Sequence, residues 1–336
     1  MRKYILLLAL SAASPVPGQS EPITVRVAHF PNVTHAVVVA GHANGVFERE
    51  LQPEAEIRWK LFTAGPQVIE AIFSGDLDIA YVGPNPAING YVRSNGEALR
   101  IVAGATSGGA ALVVRADANI ERPEDFDGKT VATPQLGNTQ DVALRDWLQS
   151  HGLQTNEKGG TVRVVPISHA DQYPLFLRKQ IDAAWAAEPW ASRLILEAGG
   201  RLFLDERNLW PDGDFATTQL IVRTEFLRRH PGVVRKWIRA HVKLTLWFNG
   251  NREAGKRLVN REILRETGMA FSSGIVDEAF TRMRVSYDPA RASLLVSARR
   301  AYTAGYLGRK EPVLDGIYEL SLLNEVLSEM GLPKIP

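Results

Sequence analysis

Residues 75–88 read GDLDIAYVGPNPAI, and this stretch decides the fold. Residues 78–82 are a short apolar run of β-type composition, and Gly83-Pro84-Asn85-Pro86 ends it before a helical stretch begins. Proline is tolerated in a first helical turn because its missing N–H has no intrahelical partner there. Strand, tight loop and helix in that order form the unit of an α/β protein. On either side the same order recurs. Residues 23–30 read as a strand ended by Pro31-Asn32, with a helix from Thr34 to about 43 that Gly45 stops. Residues 56–62 lead through Gly65-Pro66 into a helix over 67–74. Residues 99–105 and 111–114 are strand-like and are separated by Thr106-Ser107-Gly108-Gly109. Further strands are predicted over 129–132, 162–166 and 183–187. They run into Leu136-Gly137-Asn138-Thr139, Ser168-His169-Ala170-Asp171 and Glu188-Pro189-Trp190, each followed by a helix. The rhythm of 23–105 returns loosely in 110–200, as two similar lobes would produce. Beyond about residue 223 helices dominate, predicted over 233–249, 252–266, 273–282, 290–306 and 317–330.

The 336 residues carry 39 Lys+Arg against 37 Asp+Glu, a formal charge of +2. Without Arg2 and Lys3 the signs balance, so nucleic acid is not an expected partner. Residues 1–20 have the order of a secretory signal peptide: Arg2-Lys3, an apolar run over 4–10, then Ser11-Ala12-Ala13-Ser14. That run is shorter than the roughly 20 residues a bilayer requires, and no longer one follows, so no membrane span is expected in the mature chain. With 0 cysteines, disulfides, thiolate metal sites and a cysteine nucleophile are excluded. A lipid-modified cysteine anchor is excluded too, which favours a free periplasmic protein in a bacterial source.

In α/β units ligands sit beyond the carboxyl ends of the strands. There the first turn of each helix offers unpaired N–H groups and a positive dipole end, which together hold oxyanions. Asn32, Thr34, Gly65, Asn85, Gly137, Asn138 and Thr139 occupy such junctions. Each is equally a helix cap. Glu188, flanked by Trp185 and Trp190, has two readings: a partner for a ligand amine or hinge anchor, or a cap beside core tryptophans. His29, His35 and His42 are the one suggestive histidine group, but no acidic ligand is fixed near them, so no metal is assigned. Arg228-Arg229, Arg235-Lys236 and Arg239 make one helix basic, either as a solvated face or as a docking surface. No nucleophile elbow, phosphate loop or dinucleotide fingerprint is present, so neither an enzyme nor a cofactor is expected.

In 75–88, in IVAGATSGGAALVVR (101–115), ERPEDFDGKTVATPQLGNTQ (121–140) and QIDAAWAAEPWASRLILEAGG (180–200), and in GIYELSLLNEVL (316–327), the chain resembles ABC-transporter substrate-binding proteins. The branch is the nitrate/sulfonate/taurine one. The resemblance implies a type II periplasmic-binding fold whose two α/β lobes are joined by two crossovers near Ser107 and Thr218. Lobe one would span 22–107 and 218–336, and lobe two 108–217, with the helical C-terminal region packed on lobe one. By motif position it implies Asn32, Thr34, Asn85, Ser107, Gly108, Asn138, Thr139, Gln140, Glu188 and Trp190 as ligand contacts, and Thr217 at the return crossing. Phe215-Ala216 replaces an aromatic-proline pair frequent in relatives. Asp141 stands where relatives often carry His, and with Glu188 it points to a ligand that also bears an amine. The implied function is non-catalytic capture of a small organic anion, an aliphatic sulfonate or taurine-like molecule, by a monomer that delivers it to an ABC permease. Nitrate, a thiamine-pyrimidine precursor, an enzyme on the same fold and a sensor's ligand-binding subunit are the alternatives.

Overall fold

The computed structural model describes residues 21–336, so the expected signal peptide lies outside the described residues. From the N-terminus the chain forms β1 (Ile23–His29), α1 (Ala36–Asn44), α2 (Val46–Leu51), β2 (Ala55–Leu61), α3 (Gly65–Phe73), β3 (Ile79–Val82), α4 (Pro84–Arg93) and β4 (Leu99–Gly108). It continues with β5 (Ala110–Arg115), β6 (Thr130–Thr133), α5 (Thr139–Ser150), β7 (Arg163–Pro166), α6 (His169–Leu177), β8 (Ala183–Ala187), α7 (Trp190–Leu196) and β9 (Gly200–Asp205). Then follow β10 (Ala216–Arg223), α8 (Thr224–Arg229), α9 (Pro231–Gly250), α10 (Arg252–Thr267), α11 (Ser273–Ala279), β11 (Met283–Val285), α12 (Arg291–Ala304) and α13 (Ser321–Glu329).

These strands make two sheets, ordered β11-β4-β10-β3-β1-β2 and β7-β6-β8-β5-β9. Both mix parallel neighbours, such as β1 with β2 and β6 with β7, and antiparallel ones, such as β4 with β10 and β5 with β8. The central strands β3 (IAYV) and β8 (AAWAA) are buried at every position. A strand covered on both faces reads as an unbroken apolar run, which is why these two were plain in the sequence. Apolar side chains pack on both sheets, with Phe47 stacked on Trp237 at 4.0 Å beside the first and Phe126 against Trp147 at 5.2 Å beside the second, and one buried cluster runs across both.

The chain leaves the first sheet at Gly108-Gly109 and returns to it between Asp205 and Ala216. Both glycines have positive φ (73° and 86°), and a Cβ on Gly108 would lie 2.4 Å from the Arg282 carbonyl oxygen. Only glycine satisfies that conformation and that close approach together.

Four elements depart from expectation. α2 follows Gly45, whose φ of 60° redirects the chain instead of ending its helical course. β9 and β11 were not foreseen: β9 is a half-buried edge strand, and β11 has 3 residues defined by pairing with β4. The helix expected over 317–330 begins only at Ser321, because the Ile101 N–H donates to the Ile317 carbonyl (2.8 Å) and holds that segment extended. Among the described residues no helix is long and apolar enough to cross a membrane.

Candidate functional site

A cavity of about 110 Å³ lies where the carboxyl ends of the two sheets' strands face each other. Phe30, Pro31, Asn32, Thr34 and His35 reach it after β1, Phe62 and Thr63 after β2, Gly83 after β3, and Thr217 and Thr218 within β10. From the other sheet come Asn138, Thr139 and Gln140 at the start of α5, Ser168, His169 and Ala170 at α6, and Ala187 and Trp190 around α7. Successive residues of a regular strand face opposite ways. Thr217 and Thr218 both reach the cavity because the β10–β4 pairing shifts register on either side of Thr218. Gly83 permits close approach: a Cβ there would stand 2.5 Å from Thr139 Oγ1 on the opposite wall.

The lining holds no Lys, Arg, Asp or Glu among the described residues. Of its two histidines His35 is buried and His169 half-buried; desolvation holds His35 well below the usual imidazole range and His169 at about 4, so both are neutral at pH 7. The Phe30 N–H donates to His35 Nδ1 (3.4 Å), which leaves the proton on Nε2. The Asn32 and Asn138 Oδ1 atoms accept the N–H groups of Thr34 (3.2 Å) and Thr139 (2.9 Å), leaving their Nδ2 groups as donors. Thr217 Oγ1 donates to the Gly108 carbonyl. Two further hydroxyls, Thr139 Oγ1 and Thr218 Oγ1, are buried with no partner among the described residues. A buried polar atom left unpaired costs about 1–3 kcal/mol, and both of these residues line the cavity. The site is thus a neutral, donor-rich end beside an apolar wall of Phe30, Phe62 and Trp190.

Seven residues expected at the ligand therefore line the cavity: Asn32, Thr34, Asn138, Thr139, Gln140, Trp190 and Thr217. Five others do not, and each has a reason. Asn85 faces the other side of α4's first turn, where its Nδ2 donates to the Ser297 carbonyl (3.3 Å). The Ser107 hydroxyl donates to Asp214 in a separate surface depression edged by Arg207 and Arg284. Gly108 serves the crossing, with its carbonyl taken by Thr217. Asp141 is 1% exposed and accepts from Thr133 Oγ1 (3.0 Å), the Gly137 N–H (3.0 Å), Arg145 Nε (3.2 Å) and the Tyr306 hydroxyl. Glu188 is fully buried; it accepts from the Ser192 N–H (3.0 Å) and Arg282 Nη1 (2.9 Å), while burial pushes its carboxyl up. With both carboxylates engaged elsewhere, the expectation of a ligand amine loses its basis.

Phe30, His35, Phe62, Ser168, His169 and Thr218 were not among the expected contacts. All but Thr218 sit at or just after the carboxyl end of a strand, so the rule that selected Asn32 would also have selected them. The histidine trio separates. His35 lines the cavity, while His29 and His42 turn to Glu266 on α10, an acidic neighbour 224 residues or more away in sequence. The basic helix α9 is not a free surface, since Arg235, Lys236, Arg239 and Lys243 pair with Glu329, Glu54 and Glu50.

The chain is 26% identical over 236 residues to the taurine-binding periplasmic protein of Escherichia coli K12, covering 69% of each chain. Its fold matches the alkanesulfonate-binding protein SsuA of Xanthomonas axonopodis pv. citri bound to MOPS, with a TM-score of 0.73 and 19% identity over 90% of this chain and 100% of that one. The desulfurization enzyme DSZB shares the fold more distantly, with a TM-score of 0.65 and 20% identity over 92% of this chain and 99% of that one. The model of the NMT1-like family matches residues 18–263. The chain belongs to the NMT1-like family, and its fold is that of periplasmic binding proteins.

Proposed function

We propose that this chain is the extracytoplasmic solute-binding component of an ABC importer, and that it holds a small organic sulfonate between two closing lobes. The observation that carries this reading is the pair of unpartnered buried hydroxyls, Thr139 Oγ1 and Thr218 Oγ1, in a cavity without fixed charge. A sulfonate has three acceptor oxygens and needs converging donors. These hydroxyls, the Asn32 and Asn138 amides and the first turn of α5 supply them, and the helix dipole adds about 0.3–1 kcal/mol. Phe30, Phe62 and Trp190 suit an apolar tail, which favours an alkanesulfonate over nitrate. No carboxylate is placed to pair with an ammonium, which favours an alkanesulfonate over an aminosulfonate. The taurine- and alkanesulfonate-binding relatives support the class.

The lobes would be residues 22–107 with 218–336, and 108–217, hinged at the two passages between sheets. Closure stores ligand only in so far as the closed state binds it more tightly. Residues 1–20 would direct export to the periplasm, where the chain acts as a monomer, with a permease as partner and without a catalytic step. Native mass spectrometry of the purified protein with methanesulfonate, propanesulfonate, nitrate and acetate tests this. A 1:1 propanesulfonate complex, with the sulfonate recovered intact, is expected. Binding of nitrate alone would overturn the sulfonate assignment, and release of sulfite would make the protein an enzyme.

A further inference from the structure

We propose that His29, His42 and Glu266 form a binding site for one divalent transition-metal ion of the zinc class, separate from the ligand cavity. The three residues come from the end of β1, the last turn of α1 and the end of α10, and one ligand atom from each lies within 4.8 Å of the others. Glu266 Oε1 is 2.8 Å from His29 Nε2 and 3.0 Å from His42 Nδ1. Zinc bound at about 2.0–2.2 Å holds its ligand atoms about 3.3 Å apart in a tetrahedron, so the two imidazole–carboxylate edges need to open by only a few tenths of an ångström.

A second observation points to the same place. Glu266 Oε2 is buried with no partner among the described residues, although the carboxylate is almost wholly enclosed at 3% exposure. A carboxylate with an unused oxygen, beside two imidazoles, is a two-nitrogen, one-oxygen donor set. That set suits zinc, cobalt, nickel or copper, whereas calcium takes six to eight oxygens.

The surroundings fit as well. The Trp59 ring stacks on His42 at 4.3 Å and meets His29 edge-on at 5.5 Å, giving an apolar wall that excludes water on one side. His42 is 17% exposed and provides the way in. Glu262 Oε1 stands 3.4 Å from His42 Nδ1, within reach as a fourth donor. The opposing group is Arg265, whose guanidinium lies 3.4 Å from His42 Nε2 and also pairs with Glu262. Metal on Nδ1 places the proton on Nε2, so Arg265 must swing away, and at 62% exposure it is free to do so. Because His29 directly precedes Phe30, an ion here ties β1, α1 and α10 together at the base of the cavity.

Untagged, chelator-treated full-length protein titrated with Co²⁺ in the visible range, then with Zn²⁺ in competition, tests the site. One equivalent of Co²⁺ with intense tetrahedral bands, displaced by one equivalent of Zn²⁺, is expected. His42→Gln and Glu266→Gln should each weaken binding at least tenfold, and Arg265→Ala should tighten it. Thermal melting establishes that the variants fold, and the partly exposed His42→Gln decides the matter if Glu266→Gln does not. No saturable binding by the wild type would overturn the proposal, as would affinity unchanged in the folded variants.

Discussion

Two helix starts in the second sheet's half face the same space and use their first turns in opposite ways. At α5, Asn138 caps the helix and Thr139 leaves an unpartnered hydroxyl in the cavity. At α7, Glu188 receives the Ser192 N–H and the Arg282 guanidinium, while Ala187 and Trp190 beside it line the cavity. Within α5 the same division holds between neighbours. Thr139 and Asp141 are two residues apart, about 200° around the helix, so one faces the cavity and the other turns to Tyr306 of the C-terminal region. Carboxylates of α5 and of the β8–α7 junction reach the C-terminal region: Asp141 with Tyr306, Asp146 with Arg300 and Glu188 with Arg282. The cavity between them is left neutral. Placing charge in the flank and dipoles in the pocket lets the ligand bring the only net charge.

The contrast breaks most visibly at Arg282. Arg282→Ala strands a fully buried Glu188 without its cation, and the expected loss is about 3–5 kcal/mol in urea unfolding. Glu188→Gln should cost less, because the buried Arg282 left behind still pairs with Glu278. An Arg282→Ala loss below about 1 kcal/mol would show that α7 is not anchored by charge.

On the cavity side the neutral histidine is the next handle. His169 titrates at about 4 in the fold, through desolvation, against 6.5 when exposed. The unfolded chain therefore binds the extra proton first. This contribution to stability is fully present above about pH 6.5 and is lost as pH falls toward 4, by roughly 3 kcal/mol. His241, also at about 4 through burial, acts in the same direction, whereas Glu206, raised by burial to about 7, favours the fold at lower pH. Denaturant titrations from pH 7.5 to 4.5 should show a shallower slope in His169→Gln than in the wild type. Equal slopes would mean that the ring is solvated.

Thr139→Val sharpens the comparison by separating binding from folding. Its buried hydroxyl makes no hydrogen bond among the described residues, so its removal should raise stability, by up to about 1–3 kcal/mol. Loss of a hydrogen bond to a charged ligand should weaken sulfonate binding about 10- to 100-fold, measured by calorimetry. Thr218→Val should behave alike. The smallest effect belongs to Tyr306→Phe, which removes one of the four donors on Asp141. About 1 kcal/mol of stability is expected, with the relative affinities for different anions unchanged.

Most of the fold was legible because its central strands are covered on both faces and its loops carry Gly, Pro and Asn at each strand end. β9 begins with Gly200 and stays half exposed at a sheet edge, and β11 is three residues held by β4, so neither has a local signature. The site was legible only to the level of its junctions. Helical phase separates Thr139 from Asp141, and a register shift turns Thr218 inward; both depend on partners remote in sequence. The acids drew attention because a carboxylate is a conspicuous ligand, yet Arg282, Tyr306 and Ser192 claim them. The same remoteness hid Glu266 from His29 and His42.

Calorimetric titration of ligand-stripped protein with ethanesulfonate and with taurine, which differ by one ammonium group, tests the neutral cavity most directly. The account predicts 1:1 binding of ethanesulfonate at least tenfold tighter than taurine. Tighter binding of taurine would place a carboxylate at the ligand and contradict it.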